Sequence, residues 1–158
     1  MGYCSNVDKV DREIVQLLQH DASLSAREVA EQVGLTATPC WRRIQNLEKS
    51  GVITGQVALV DPAAVNLGVT ALVQIRTNNH SAEWLGQFQA AIDSFPEVVE
   101  AYRTSGEIDY ILRVMVPSID SYDQLYKRLI ESVDLYDVRT VFVMEKIKQT
   151  TALPLDYV

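Results

Sequence analysis

Between Thr36 and Lys49 the chain gathers hydrogen-bonding side chains of several geometries: Thr38, Trp41, Arg42, Arg43, Gln45, Asn46 and Lys49. A guanidinium can pair with O6 and N7 of guanine through two parallel bonds, and a carboxamide can do the same with adenine. Arg42, Gln45 and Asn46 are therefore suited to base edges. Thr38 and Lys49 are suited to phosphate oxygens, which set position but carry no sequence information. Trp41 and Arg43 lie on the flanks of this set, as candidates for backbone contact or packing. A second cluster, Gly106-Glu-Ile-Asp109, combines a turn with open amides and two carboxylates within four residues. A free amino acid presents an ammonium and a carboxylate, and such a turn can answer both. An ordinary hairpin turn with solvated Asp and Glu is the plainer reading of the same residues. Cys4, Cys40, His20 and His80 show no metal-ligand spacing, and no metal or cofactor is expected.

The elements that must hold these groups are legible in the hydrophobic period. Asp8 is a plausible N-cap for a helix on which Val10, Ile14, Leu17 and Leu18 recur at helical spacing. Ser25-Ala-Arg-Glu28 has the form of a capping box, with Leu24 and Val29 placed as a hydrophobic staple. Gly34 suits the turn after that short helix. Thr36 then caps a third helix with Pro39 in its first turn, where a missing amide costs little, and Gly51 ends it. On that helix Cys40, Ile44 and Leu47 share one face. Thr38, Gln45, Lys49, Arg42 and Asn46 fall at about 140–240° from Cys40, on the opposite face. On pattern alone this unit serves equally well as a DNA reader or as a small protein-interaction module.

From Ile53 the period changes. Gln56–Val60 reads as a connecting strand ended by Asp61-Pro62, and Val69–Ile75 alternates as a strand. Ser81 caps a helix bearing Leu85, Phe88, Ile92 and Phe95. Two strands, Val98–Thr104 and Tyr110–Val116, flank a short turn at Gly106. A helix over Ile119–Val133 and a strand over Val138–Ile147 complete the order β-α-β-β-α-β, the split βαβ arrangement of a ferredoxin-like sandwich. The expected fold is α+β, and the expected divisions are a helix-turn-helix domain at 1–53, a connecting strand and linker at 54–68, a sandwich at 69–147 and a C-terminal tail at 148–158.

The composition, 47% hydrophobic and 22% charged, is that of a folded globular chain. Apolar runs such as Val69–Ile75 are far too short for a bilayer, and the N-terminus has neither the basic region nor the apolar core of a signal peptide, so a cytoplasmic protein is expected. The net charge of −7 opposes phosphate binding, but it is unevenly spread. Residues 1–55 carry six basic and seven acidic side chains, and the remainder eight and fourteen. Clustering on one helix must therefore carry any DNA contact.

Val7-Asp-Lys-Val-Asp-Arg-Glu-Ile-Val15, Gly34-Leu-Thr-Ala-Thr-Pro-Cys40, Arg43-Ile-Gln-Asn-Leu-Glu-Lys-Ser-Gly51-Val-Ile53 and Ser105-Gly-Glu-Ile-Asp-Tyr110, followed by Arg139-Thr140 and Val143-Met-Glu145, together resemble the leucine-responsive regulatory protein/AsnC family. The likeness is collinear over nearly the whole chain. It implies a winged helix-turn-helix joined to a ferredoxin-like effector-binding and assembly domain, and a nucleoid-associated regulator of amino-acid metabolism genes. It also implies double-stranded DNA as partner, homodimers that assemble to tetramers or octamers, and an amino-acid effector. Carried over residue by residue, it nominates Ser105, Gly106, Asp109 and Tyr110 as effector contacts, with Arg139, Thr140 and Val141 of the last strand. Thr38-Pro-Cys-Trp41, Val57-Ala-Leu-Val-Asp-Pro62 and His80-Ser-Ala-Glu-Trp84 are similar to a subgroup tied to amino-acid catabolism or cysteine detoxification, which makes cysteine one candidate ligand. Two other function classes stand beside this one. The first is an architectural DNA-wrapping protein with little ligand dependence. The second is an enzyme using Glu107 and Asp109 as acid and base, which lacks any accompanying nucleophile, metal ligands or phosphate loop.

Overall fold

A computed structural model describes residues 7–157. The chain forms two compact units, one reaching to Ala58 and taking up the chain again from Ile147, the other spanning Leu59–Lys146.

The first unit is built from α1 (Lys9–His20), α2 (Ala26–Val33) and α3 (Ala37–Lys49). Each of the first two helices starts with a reciprocal capping box. In α1 the Asp8 carboxylate accepts from the Asp11 amide at 2.9 Å while Asp11 accepts from the Asp8 amide. In α2 the Ser25 hydroxyl accepts from Glu28 while Glu28 accepts from Ser25. Two otherwise unpaired amides are satisfied at each start. Thr36 stands at the α3 N-cap position in extended backbone, but its hydroxyl makes no capping bond. The helix ends in a Schellman closure. Val52 donates to the Leu47 carbonyl at 3.0 Å, Gly51 donates to Glu48 at 3.0 Å, and Gly51 takes φ 76°. That left-handed turn is open to glycine and strains any residue with a side chain. It folds Val52 and Ile53 back onto the helical core.

That core is small. Ile14, Val29 and Cys40 are fully buried, with Val15, Ala30 and Leu47 close to it, and Leu24, Val33, Leu35 and Ile44 pack around them. Fully burying a side chain such as Ile14 contributes roughly 1.5–3 kcal/mol. Gln56–Val60, expected as a strand, pairs with no other segment among the described residues. Its apolar side chains Val57, Leu59 and Val60 are all largely exposed. A strand needs a hydrogen-bonding neighbour, and the described residues supply none.

The second unit contains β1 (Val69–Arg76), α4 (Ala82–Asp93), β2 (Val98–Arg103), β3 (Tyr110–Val116), α5 (Ile119–Ser132) and β4 (Asp137–Phe142). The four strands form one antiparallel sheet in the order β2-β3-β1-β4. Ala71, Val73 and Ile75 of β1 and Leu112, Val114 and Val116 of β3 meet Trp84, Phe88, Leu125 and Leu129 from the helices. Every second residue therefore points the other way, and Leu72, Gln74, Ile111 and Arg113 lie on a face with no helix layer. The last strand is shorter than its sequence suggests. It pairs to Phe142, and Val143 adds one bond to Thr70 at 2.9 Å.

The remaining residues do not trail off as a tail. Gln19 of α1 grips the backbone of Leu153 with both ends of its carboxamide. Its Nε2 donates to the Leu153 carbonyl at 3.3 Å, and its Oε1 accepts from the Leu153 amide at 2.7 Å. Leu155 packs against the helical core. The C-terminal segment is thus part of the helical unit, which the chain completes only after building the other one. Deleting residues 150–158, or replacing Leu155 with Asp, is expected to lower the thermal midpoint of the helical unit. Circular dichroism melts of the full chain and the variants provide the check, and an unchanged midpoint would remove the segment from that core.

Candidate nucleic-acid interface and ligand loop

The fold orients α3 by its buried side. Cys40 and Leu47 are buried, and burial raises the Cys40 thiol above its ordinary pKa, as fits a small apolar core residue. Cys4 lies outside the described residues. Arg43 adds a polar brace. Its Nη1 lies 2.7 Å from Asp8 and 2.7 Å from Asp11, so one guanidinium ties α3 to the start of α1. The Asp8 carboxyl is held below its ordinary pKa, first by the Asp11 amide and then by Arg43. Of the two roles open to Arg43 on the flank of α3, backbone contact or packing, the structure shows a packing one: its charge faces two carboxylates at the start of α1. The spacing of Asp8, Asp11 and Arg43 over 35 residues gives no local signal for this.

Opposite the brace, Thr38, Trp41, Arg42, Asn46 and Lys49 are exposed and have no hydrogen-bond or ion-pair partner among the described residues. Gln45 is half-buried, and its Nε2 donates to Glu48 at 2.8 Å. Arg42 and Lys49 are thus the cations of α3 free to meet phosphate or a base edge, as Arg43 is not.

The loop between β2 and β3 is an exposed turn tied down at its base. Ser105, Gly106 and Glu107 are exposed at the turn, with Gly106 at φ 117°. The Asp109 carboxylate points inward. Its Oδ2 accepts from the Thr77 amide at 2.8 Å, while the Asp109 amide donates to the Ile75 carbonyl at 3.0 Å. Thr104 closes the loop base, donating through its amide to the Asp109 carbonyl at 2.9 Å and through its hydroxyl to Ile108. Asp109 therefore clamps the end of β1 to the start of β3. Thr77, a buried polar residue of that clamp, was indistinguishable in sequence from the neighbouring Asn78 and Asn79.

Two further nominated residues face the core. Tyr110 is 8% exposed, with its ring 4.7 Å from Phe88 and 5.8 Å from Trp84, so it belongs to the core rather than to the loop surface. Thr140 faces the helices, where its hydroxyl meets that of Tyr122. Arg139 and Val141, one residue to either side, necessarily face away, and both are exposed on the edge strand. Arg139 pairs with Asp137 at 3.0 Å. Of the nominated ligand contacts Ser105, Gly106, Arg139 and Val141 are exposed, Asp109 and Thr140 are half-buried, and Tyr110 is buried. β1 separates β3 from β4, so the loop base and the Arg139 strand stand two strand spacings apart, about 10 Å.

A winged helix-turn-helix DNA-binding family matches residues 7–54, and the Lrp/AsnC ligand binding domain family matches residues 70–153. The chain is 48% identical over 151 residues to the DNA-binding transcriptional activator DecR of Escherichia coli, covering 95% of this chain and 99% of that one. An AsnC family transcriptional regulator from Agrobacterium tumefaciens superposes with a TM-score of 0.91 at 54% identity, over 95% of this chain and 98% of that one. A transcriptional regulator from Neisseria meningitidis, solved in complex with L-Met, superposes with a TM-score of 0.91 at 32% identity, over 95% and 97%. The chain belongs to the Lrp/AsnC family of transcriptional regulators. It is a DNA-binding regulator with a ligand-binding domain rather than an enzyme. No helix among the described residues is long and apolar enough to cross a membrane.

The Asp109 clamp gives a test independent of any ligand. Asp109→Ala leaves the Thr77 amide unpaired and is expected to cost about 1–3 kcal/mol of stability. Asp109→Asn keeps an acceptor oxygen and should cost less. Urea unfolding of ligand-free protein measures both. Equal stability of the alanine variant and the parent would show that the Asp109 clamp contributes nothing to the fold.

Proposed function

We propose that α3 lies in the major groove and reads sequence there, with Arg42 pairing guanine, Gln45 and Asn46 addressing adenine, and Thr38 and Lys49 holding phosphates. The observation that carries this reading is the division of α3: one side buried and braced, the other side exposed and hydrogen-bonding, with Gln45 half-buried beside Glu48. Two such helices in a homodimer would meet half-sites about 34–36 Å apart. We also propose that a homodimer, assembling further, is the DNA-binding form. The exposed apolar segment Val57–Val60 and the uncovered sheet face support a second copy as partner. Under this reading DNA recognition belongs to residues 1–53, the connection to 54–68 and effector binding to 69–147. The segment 148–158 serves the helical unit, and the protein works in the cytoplasm on the nucleoid.

The recognition test compares Arg42→Ala with Lys49→Ala on duplexes recovered by selection. Arg42→Ala should cost about 1–3 kcal/mol on the preferred sequence and relax the preference at one position. Lys49→Ala should weaken all sequences alike and lower the salt slope by about one. If neither variant changes binding at matched salt, α3 is not the reader. Equal affinity of the parent for selected and random duplexes would favour architectural wrapping instead.

We further propose that an amino acid is the effector and that the regulated genes serve amino-acid metabolism. The family match to the ligand binding domain and the L-Met complex of the Neisseria relative support this, and cysteine is one candidate. The exposed amides around Ser105 and Gly106 supply anion donors, and Arg139 supplies a cation on the edge strand. A thermal-shift panel of the natural amino acids should find one that raises the midpoint as its concentration rises. Arg139→Ala, an exposed substitution, should remove that shift without lowering the ligand-free midpoint. If no amino acid shifts the parent protein, the effector is of another class.

A further inference from the structure

The two tryptophans of the chain differ in environment. Trp84 is 3% exposed, stacked 5.1 Å from Phe88, and its indole N–H donates to the Asp134 carbonyl at 2.8 Å. Trp41 is 53% exposed, and its indole N–H has no partner among the described residues. It is the largest apolar group on the free side of α3, and it takes no part in the helical core.

Its position on the helix is specific. Trp41 follows Thr38 by three residues and precedes Gln45 by four, so the three side chains form one strip along the helix. Arg42 and Asn46 form the neighbouring strip, again four apart. Trp41 sits in the N-terminal half of α3, the part of a recognition helix that approaches base edges. The major groove offers hydrogen-bonding edges at every base pair but one kind of apolar group, the C5-methyl of thymine. A half-exposed indole amid polar reading residues is matched to that group.

We propose that Trp41 is a specificity-determining residue that selects thymine through contact with its C5-methyl group. This rests on α3 being the reading helix. The polar strip then selects by hydrogen bonds, and the Trp41 strip adds an apolar requirement at an adjacent base pair. Because the core does not use Trp41, the site can change its base preference without loss of fold.

The test replaces thymine by deoxyuridine, one position at a time, in duplexes selected by the full-length protein. Only the methyl group is lost, and base pairing is unchanged. One thymine in each half-site should give about a fourfold loss of affinity, the worth of one buried methyl at about 0.8 kcal/mol. Trp41→Ala should bind more weakly, show no penalty at that thymine and keep the parental thermal midpoint. The proposal is overturned if no uracil position weakens the parent, or if Trp41→Ala suffers the same penalty. It is also overturned if Trp41→Phe weakens every sequence alike without a uracil effect, since the indole N–H then serves a phosphate. Arg42→Ala on the same duplexes separates the two levels of failure. If it relaxes a guanine preference while uracil has no effect, α3 still reads and only the Trp41 assignment falls. If Arg42→Ala is silent as well, the underlying reading falls with it.

Discussion

The anchoring of α3 from one side is the constraint on which the rest of the DNA-binding unit depends. A helix of 13 residues can present donors to a groove only if its rotation about its own axis is fixed. Cys40 and Leu47 fix it through burial, and Arg43 fixes it through two carboxylates at the start of α1. The capping box places those carboxylates, since Asp8 and Asp11 are the same residues that satisfy each other's amides. One local motif therefore starts α1 and also supplies the acceptors that orient α3. The Schellman closure at Gly51 completes the arrangement by folding Val52 and Ile53 onto the shared core.

The charge distribution sets what one chain can achieve on DNA. With Arg43 neutralised, α3, the proposed reading helix, keeps two free cations, Arg42 and Lys49, with Glu48 on the same helix. Each phosphate neutralised adds only a limited, salt-dependent gain, so two contacts on a chain of net charge −7 give weak binding. Linking several reading helices makes the second and later contacts intramolecular and raises the overall affinity without new chemistry. The acidic remainder is compatible with this, because it keeps the other unit from competing for phosphate.

The sequence was most legible where a rule is local. Both capping boxes, the turn at Gly34, the end at Gly51 and the βαββαβ order are written in spacings of a few residues. It was least legible where a contact spans the chain. Gln19 and Leu153 are 134 residues apart, and no period or motif links a glutamine on α1 to a backbone amide near the C-terminus. Asp109 shows a different limit. Its place in a Gly-x-x-Asp-Tyr stretch suggested a ligand carboxylate, but a carboxylate beside a strand end is also the natural partner for a buried amide, here that of Thr77. Tyr110 follows the same logic, since alternation in β3 sends it to the same side as Leu112 and Val114. Period-two alternation likewise separates Thr140 from Arg139 and Val141, which a residue-by-residue transfer from a family motif had grouped.

These relocations bear on how a ligand can be held. An amino acid carries its ammonium and carboxylate on one carbon, so the groups answering them must converge within a few ångströms. In a single chain Asp109 is occupied by Thr77, and the free surface of the loop consists of amides and Glu107. The nearest nominated cation, Arg139, stands two strands from the loop base and is itself paired with Asp137. The loop and the edge strand of a single chain therefore do not line one closed pocket. Under the proposed reading, in which loop and edge strand both contact the ligand within a homo-oligomer, contact from different copies would link binding energy to assembly. Such a ligand shifts the oligomeric equilibrium by its differential affinity for the assembled form. Were DNA affinity set by the number of joined α3 helices, as proposed, it would respond to the ligand with no signal passing through the helical unit itself.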